Sequence, residues 1–143
     1  MLIGEVAQTI DGKGRYIVPA KFRNDLGARF VIARGVDCCL AIYPLAVWQQ
    51  VVEKLAATSK ADPGKRAFSR RLTSSAFEAE LDAQYRVVLP PALREYAKLQ
   101  KDIVTIGATN RLEIWDKDIW HDYISDDDGS DQELAAEFAD ILL

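Results

Sequence analysis

Apolar and polar positions alternate loosely over Val6-Ala7-Gln8-Thr9-Ile10 and again from Arg15 to Val18, with the polar run Asp11-Gly12-Lys13-Gly14 between them. A period of two predicts half-buried strands. The two glycines offer the positive φ that a tight hairpin needs, so the second stretch is expected to return along the first. Pro19 predicts the start of a short helix with Phe22 and Leu26 on one face, stopped at Gly27. Arg29 to Ala33 and Cys39 to Tyr43 read as two further strands around a turn at 35–37. Beyond Pro44 the period changes. Leu45, Trp48, Val52 and Leu55 recur at spacings of three and four, an apolar helical stripe assigned to the core. Asp62-Pro63 combines an N-cap with a first-turn proline and predicts a connecting helix to about Leu72, too basic to be fully buried.

The pattern then starts again. Phe77 to Leu81 reads as strand, Asp82 opens a turn, and Arg86 to Leu89 is strand. Pro90-Pro91 opens a helix with Leu93 and Ala97 inward, and Asp102 to Gly107 and Arg111 to Trp115 repeat the strand pair. Asp116 is expected to cap a closing helix with Ile119, Trp120, Tyr123 and Ile124 inward. Shifted by 71 positions, Asp11, Arg15, Pro19 and Arg23 fall on Asp82, Arg86, Pro90 and Arg94. Shifted by 72, Gly35, Leu40, Ile42 and Trp48 fall on Gly107, Leu112, Ile114 and Trp120. This is an internal duplication of about fifty residues, placed at 5–50 and 76–122 and followed by an acidic tail at 125–143. A unit of that size buries too little surface to stand alone. The two copies are therefore expected to share one core as a pseudo-dimer, giving a mixed α+β, β-rich fold with short flanking helices.

The net charge of −4 conceals an uneven distribution. Residues 125–143 hold seven acids and no Lys or Arg, which leaves 15 acids against 18 bases and about +3 on residues 1–124. Bases cluster at Lys13, Arg15, Lys21, Arg23, Arg29 and Arg34, and again at Lys60, Lys65, Arg66, Arg70 and Arg71. Such patches suit a polyanion and equally suit a solvated surface. The tail has helical spacing over Glu133–Leu143 and is expected to be mobile or partner-dependent. No apolar run approaches the roughly 20 residues of a membrane span, and no signal pattern opens the chain. A cytoplasmic protein is expected. Cys38 and Cys39 are adjacent, which fits neither a disulfide nor a C-x-x-C motif.

Enzymatic chemistry finds little support. The single histidine, His121, sits inside an expected amphipathic helix, and no phosphate loop or His/Cys cluster is present in the sequence. No catalytic residue, metal, cofactor or small-molecule substrate is expected. The duplicated Asp-x-x-x-Arg turns are the distinctive chemistry. Asp11 and Asp82 can accept from backbone N–H groups within each turn or pin the arginine. Arg15 and Arg86 suit bidentate recognition of phosphate or of guanine. A plain surface ion pair is the simpler alternative.

The residues of these turns, with Val18-Pro19-Ala20-Lys21-Phe22-Arg23, Gly35, Leu40-Ala41-Ile42-Tyr43-Pro44-Leu45, Trp48, Asp62-Pro63 and Glu113-Ile114-Trp115-Asp116, carry a resemblance. The chain resembles the MraZ family of bacterial transcriptional regulators from Met1 to about Ile124, each half being similar to the AbrB/SpoVT swapped-hairpin fold. The resemblance implies a ring of several subunits on double-stranded DNA. It further implies binding to tandem promoter repeats, repression of the chain's own cell-division and cell-wall operon, and association with the nucleoid. It marks the Asp-x-x-x-Arg turns as the DNA contacts. Lys13, Arg15 and Arg23 are expected to be the stronger ones and Arg86 secondary, with Arg94, the repeat match of Arg23, also counted as DNA-binding and with Asp11, Gly14 and Asp82 shaping the turns. The second turn departs from the first in carrying Gln84 and Tyr85 where Lys13 and Gly14 stand. A tyrosine there is costly if φ is positive. A ring-forming protein-interaction scaffold without specific DNA binding is the alternative.

Overall fold

The computed structural model describes residues 1–126 and 128–142; Asp127 and Leu143, both within the expected acidic tail, lie outside it. The first copy runs β1 (Leu2–Thr9), β2 (Arg15–Ile17), α1 (Ala20–Leu26), β3 (Arg29–Arg34), β4 (Leu40–Pro44) and α2 (Leu45–Thr58). After α3 (Pro63–Ser75) the same order returns as β5 (Phe77–Glu80), β6 (Arg86–Val88), α4 (Pro91–Tyr96), β7 (Asp102–Thr109), β8 (Leu112–Asp116) and α5 (Lys117–Ser125). Two short helices follow, α6 (Ser130–Glu137) and α7 (Ala139–Leu142), neither with a buried residue.

The two copies are interlocked. One antiparallel sheet has the order β1-β7-β8-β4-β3-β5, and a two-stranded ribbon joins β2 to β6. Each copy thus lays its first strand beside the third strand of the other: β1 pairs with β7 from Leu2↔Thr109 to Thr9↔Asp102, and β5 pairs with β3 from Phe77↔Ile32 to Glu80↔Arg29. The centre of the sheet pairs Leu40 with Ile114 and Ile42 with Leu112, a register that maps onto itself when the copies are exchanged. Neither half could be removed without stripping a strand from the other, which is the expected shared core in its swapped form.

The expected hairpin between the first two strands is replaced by this exchange. β2 does not return along β1; it pairs with β6 as Arg15↔Val88, Tyr16↔Val87 and Ile17↔Arg86. Of the two turn glycines only Gly14 has positive φ, at 75°. A single left-handed residue re-aims the chain out of the sheet plane, and β6, re-aimed in the same way, is the free edge that it meets.

Phe30, Ile32, Leu40, Ile42, Ile103, Leu112 and Ile114 line one face of the sheet and pack against Tyr16, Val18, Phe22, Leu26, Leu89 and Leu93. Strand alternation selects the sheet residues. Prolines at 19 and 90 start α1 and α4, whose inward Phe22 and Leu93 cover the strands. Gly27 at φ 86° ends α1 with its N–H on the Arg23 carbonyl. On the opposite face, Trp115, Trp120, Cys39 and Val104 form a smaller cluster under α5. Asp116 caps α5 by accepting from the N–H groups of Asp118 and Ile119.

Three expectations about helices change. No residue of α2 is buried, and Leu45 is 41% exposed. α2 lies along β3, β4 and α3, which leaves Trp48, Val52 and Leu55 half-buried. On α5 only Trp120 is buried; Tyr123 meets Trp115 with ring centroids 4.8 Å apart but stays half-exposed, and Ile124 is exposed. α3 runs to Ser75 rather than Leu72. The Ser75 hydroxyl donates to Leu72 O and accepts from Arg34 N, carrying the last turn onto β3. The N-cap is as expected, with Asp62 Oδ1 accepting from Gly64 and Lys65.

Candidate nucleic-acid interface

Each turn is built on its aspartate. Asp11 Oδ1 accepts from the N–H groups of Lys13 (3.0 Å) and Arg15 (3.1 Å), while Oδ2 takes Nε of Arg15. Asp82 repeats this with Gln84 N (2.8 Å), Arg86 N (2.9 Å) and Arg86 Nε (3.0 Å). The hydrogen bonds from the arginine below each carboxylate hold both Asp11 and Asp82 under the usual carboxylate range. The side chains are exposed, so this pairing shapes the loop more than it stabilises the fold. Its effect is to hold each arginine at the start of a ribbon strand.

Each turn is also braced by the other copy. Leu89 N–H donates to Gly14 O at 2.8 Å, and Val18 N–H donates to Tyr85 O at 3.1 Å. Arg94 donates through Nε to Leu89 O (3.0 Å) and through Nη1 to Gly12 O (3.4 Å), lying where a Cβ on Gly14 would be. Arg23 mirrors it, donating Nε to Val18 O at 2.8 Å. Here Tyr85 stands in place of the glycine, with φ at 61°. The Arg23 guanidinium lies 3.9 Å from the centre of its ring. The second turn thus keeps the left-handed conformation with a residue poorly suited to it, and a cation–π contact offsets part of the strain.

The ribbon is tied to the sheet by a buried polar chain. The Tyr16 ring is fully buried, and its hydroxyl meets Thr105 Oγ1 at 2.7 Å. Thr105 donates to Gln8 Oε1, whose amide donates to Ile17 O at 2.7 Å. Burial of the phenol, unrelieved by a charge, drives the Tyr16 pKa well above its ordinary value. β1, β2 and β7 are locked together by this chain. Val87, paired with Tyr16 across the ribbon, is an apolar residue and offers no second copy of it.

Side chains directly opposite in an antiparallel pair share a face. Arg15, Ile17, Arg86 and Val88 therefore project together from the ribbon, with Ile17 46% and Val88 56% exposed. Lys13 is exposed at the first turn and its ammonium has no hydrogen bond or ion pair among the described residues. The structure thus brings Lys13, Arg15 and Arg86 to one ribbon and its turns. It places Arg23 and Arg94 behind the turns, each with Nε already engaged by a carbonyl. Ile17 and Val88 were missed from sequence, although Arg-x-Ile and Arg-x-Val share the period of two that would have paired them with the arginines. His121 is exposed on α5.

The family model described as "MraZ protein, putative antitoxin-like" matches the chain twice, over residues 1–71 and 72–141. The chain belongs to the MraZ family. Curated relatives cover it almost end to end. The protein named "Transcriptional regulator MraZ" from Desulfitobacterium hafniense (strain Y51) is 52% identical over 123 residues, 86% of each chain. That of Thermoanaerobacter sp. (strain X514) is 43% identical over 141 residues, 99% of each. That of Carboxydothermus hydrogenoformans is 41% identical over 143 residues, all of both chains. These MraZ relatives are named as regulators, not as enzymes. No helix among the described residues is long and apolar enough to cross a membrane.

Proposed function

We propose that this chain is a sequence-specific DNA-binding transcriptional regulator that reads the major groove with the β2–β6 ribbon. The observation that carries this reading is the outer face of the ribbon, where Arg15, Ile17, Arg86 and Val88 stand together, each arginine oriented by its own aspartate. A two-stranded ribbon fits a groove roughly 12 Å wide, and arginine pairs bidentately with guanine there. Diagonal positions on a ribbon lie roughly 7–8 Å apart, about two steps of roughly 3.4 Å along the duplex. Ile17 and Val88 supply methyl groups against thymine. Lys13, and the free ends of Arg23 and Arg94 at the flanks, neutralise phosphates.

One ribbon makes few base contacts, so a single chain binds weakly. Several chains in one ring meet adjacent sites at high effective concentration, and tandem promoter repeats are the matching target. The half-exposed stripe of α2 offers apolar surface for such an assembly. Family kinship supports placing the target upstream of the chain's own cell-division and cell-wall operon, as a repressor at the cytoplasmic nucleoid.

Footprinting on that upstream DNA defines a duplex, and fluorescence anisotropy then compares it with a scrambled one. Arg15→Ala removes the discrimination. Lys13→Ala weakens both duplexes alike and lowers the salt slope by about one. A variant at Arg15 that still tells the duplexes apart as well as the parent ends this assignment. Light scattering that shows a ring with no affinity for any duplex favours the scaffold reading instead.

A further inference from the structure

The most poorly satisfied cation among the described residues lies outside the ribbon. Arg34, at the end of β3, has a buried Nε with no hydrogen-bond partner there. Its guanidinium carbon sits 4.7 Å from the centre of the Tyr96 ring, whose hydroxyl is taken by Gly35 O at 2.8 Å. Arg71 reaches the same cleft from α3, and no carboxylate among the described residues pairs with either arginine. The two line a cavity of about 280 Å³ walled by Tyr43, Phe68, Leu72 and Tyr96. They also border an adjoining cavity of about 510 Å³ that extends to Ser74 and Ser75.

A buried N–H without an acceptor is uncommon in folded proteins, and Arg71 brings a second cation without a carboxylate partner among the described residues to the same cleft. An anion between them would supply the missing acceptor and make charge-assisted hydrogen bonds to both. The three aromatic rings provide what a hydrated inorganic ion does not use, an apolar wall for a flat body. We propose that this cleft is a binding site for a small anion carrying an aromatic or otherwise flat unsaturated group. Its oxygens sit between Arg34 and Arg71, and its body lies against Tyr43, Phe68 and Tyr96. Tyr96 is two residues from Arg94 on α4, the arginine that holds Gly12 and Leu89, so the occupied cleft has a short mechanical route to the first turn. Binding is read without DNA, so it stands or falls separately from the function proposed above.

Titration calorimetry on the full chain in its native assembly, with phenyl phosphate, inorganic phosphate and phenol, tests the site. Phenyl phosphate is expected to bind once per chain, and the other two at least about tenfold more weakly. Arg71→Gln, an exposed position whose change leaves the unfolding midpoint in place, lowers phenyl phosphate affinity by about tenfold. Lys117→Gln, outside the cleft, leaves that affinity unchanged. Inorganic phosphate bound as tightly as phenyl phosphate would mean an adventitious ion only and would overturn the proposal. Undiminished affinity in Arg71→Gln overturns it as well, and so does the absence of heat with all three compounds.

Discussion

Gly14→Ala probes how the two copies hold each other's turns. A Cβ at this position would lie 2.6 Å from Arg94 Nε, 2.8 Å from its Cζ and 2.8 Å from Leu89 O. The first two atoms can swing away, but the carbonyl belongs to the backbone that brackets the ribbon. Alanine at φ 75° costs about 1–2 kcal/mol for the left-handed conformation. Roughly 0.4–1 kcal/mol is recovered because the unfolded chain loses freedom. Displacing Arg94 forfeits its charged hydrogen bond to Leu89 O, about 1.5–3 kcal/mol. The net expectation is a destabilisation of about 2–4 kcal/mol, read from urea unfolding at one fixed protein concentration, which keeps the comparison free of the association proposed above. Arg94→Ala paired with Gly14→Ala should cost less than the sum of the two single changes, since the Arg94–Leu89 O hydrogen bond is then lost only once and the contact with the Arg94 side chain is gone, although that with Leu89 O stays. A Gly14→Ala variant within about 0.5 kcal/mol of the parent, or strict additivity in the double variant, refutes this account of the brace.

Tyr16→Phe removes one hydroxyl from the buried chain and leaves the Thr105 Oγ1–Gln8 contact in place, so unfolding should show a loss of about 1–2 kcal/mol with little change in slope. Tyr85→Gly relieves the strain at φ 61° but gives up the Arg23 stacking and adds freedom to the unfolded chain. These contributions nearly cancel, and a net change within about 1 kcal/mol is expected in the same assay. Asp11 and Asp82 have folded-state pKa values below their ordinary 3.8, so the ordering they confer is complete above that value and lost as pH falls through the lower folded one. The amide resonances of Lys13, Arg15, Gln84 and Arg86 should therefore titrate with midpoints under 3.8, and midpoints at or above it would show that the carboxylates are not held by the turns.

The duplication, the strand and helix order and the shared core were legible because they rest on period and repetition. Pro19, Gly27, Asp62, Pro90 and Asp116 each act locally, and a local rule suffices to place them. Partner choice between strands is not local. The run from Asp11 to Gly14 fits a hairpin and a re-aimed strand equally well, and only the second copy, 71 residues on, decides that β2 meets β6. The α2 stripe was over-read for a related reason: helical spacing shows which face is apolar, not whether anything covers it. Arg23 was grouped with Lys13 and Arg15 as a DNA contact, and Arg94 joined it as its repeat match. The carbonyls that occupy them, Val18 O and Leu89 O, become acceptors only once the chain has turned. The strain at Tyr85 was visible as a departure from the first turn, whereas its relief by Arg23 needed coordinates.

In the proposed function, the outward face of the β2–β6 ribbon and its two turns meet the duplex. Hydrogen exchange read by mass spectrometry, with and without the footprinted DNA, addresses it at backbone level. Slowed exchange concentrated in residues 11–18 and 82–89 is the result expected. Protection confined to α2 and α3, with both turns exchanging as fast as in the free protein, would contradict it.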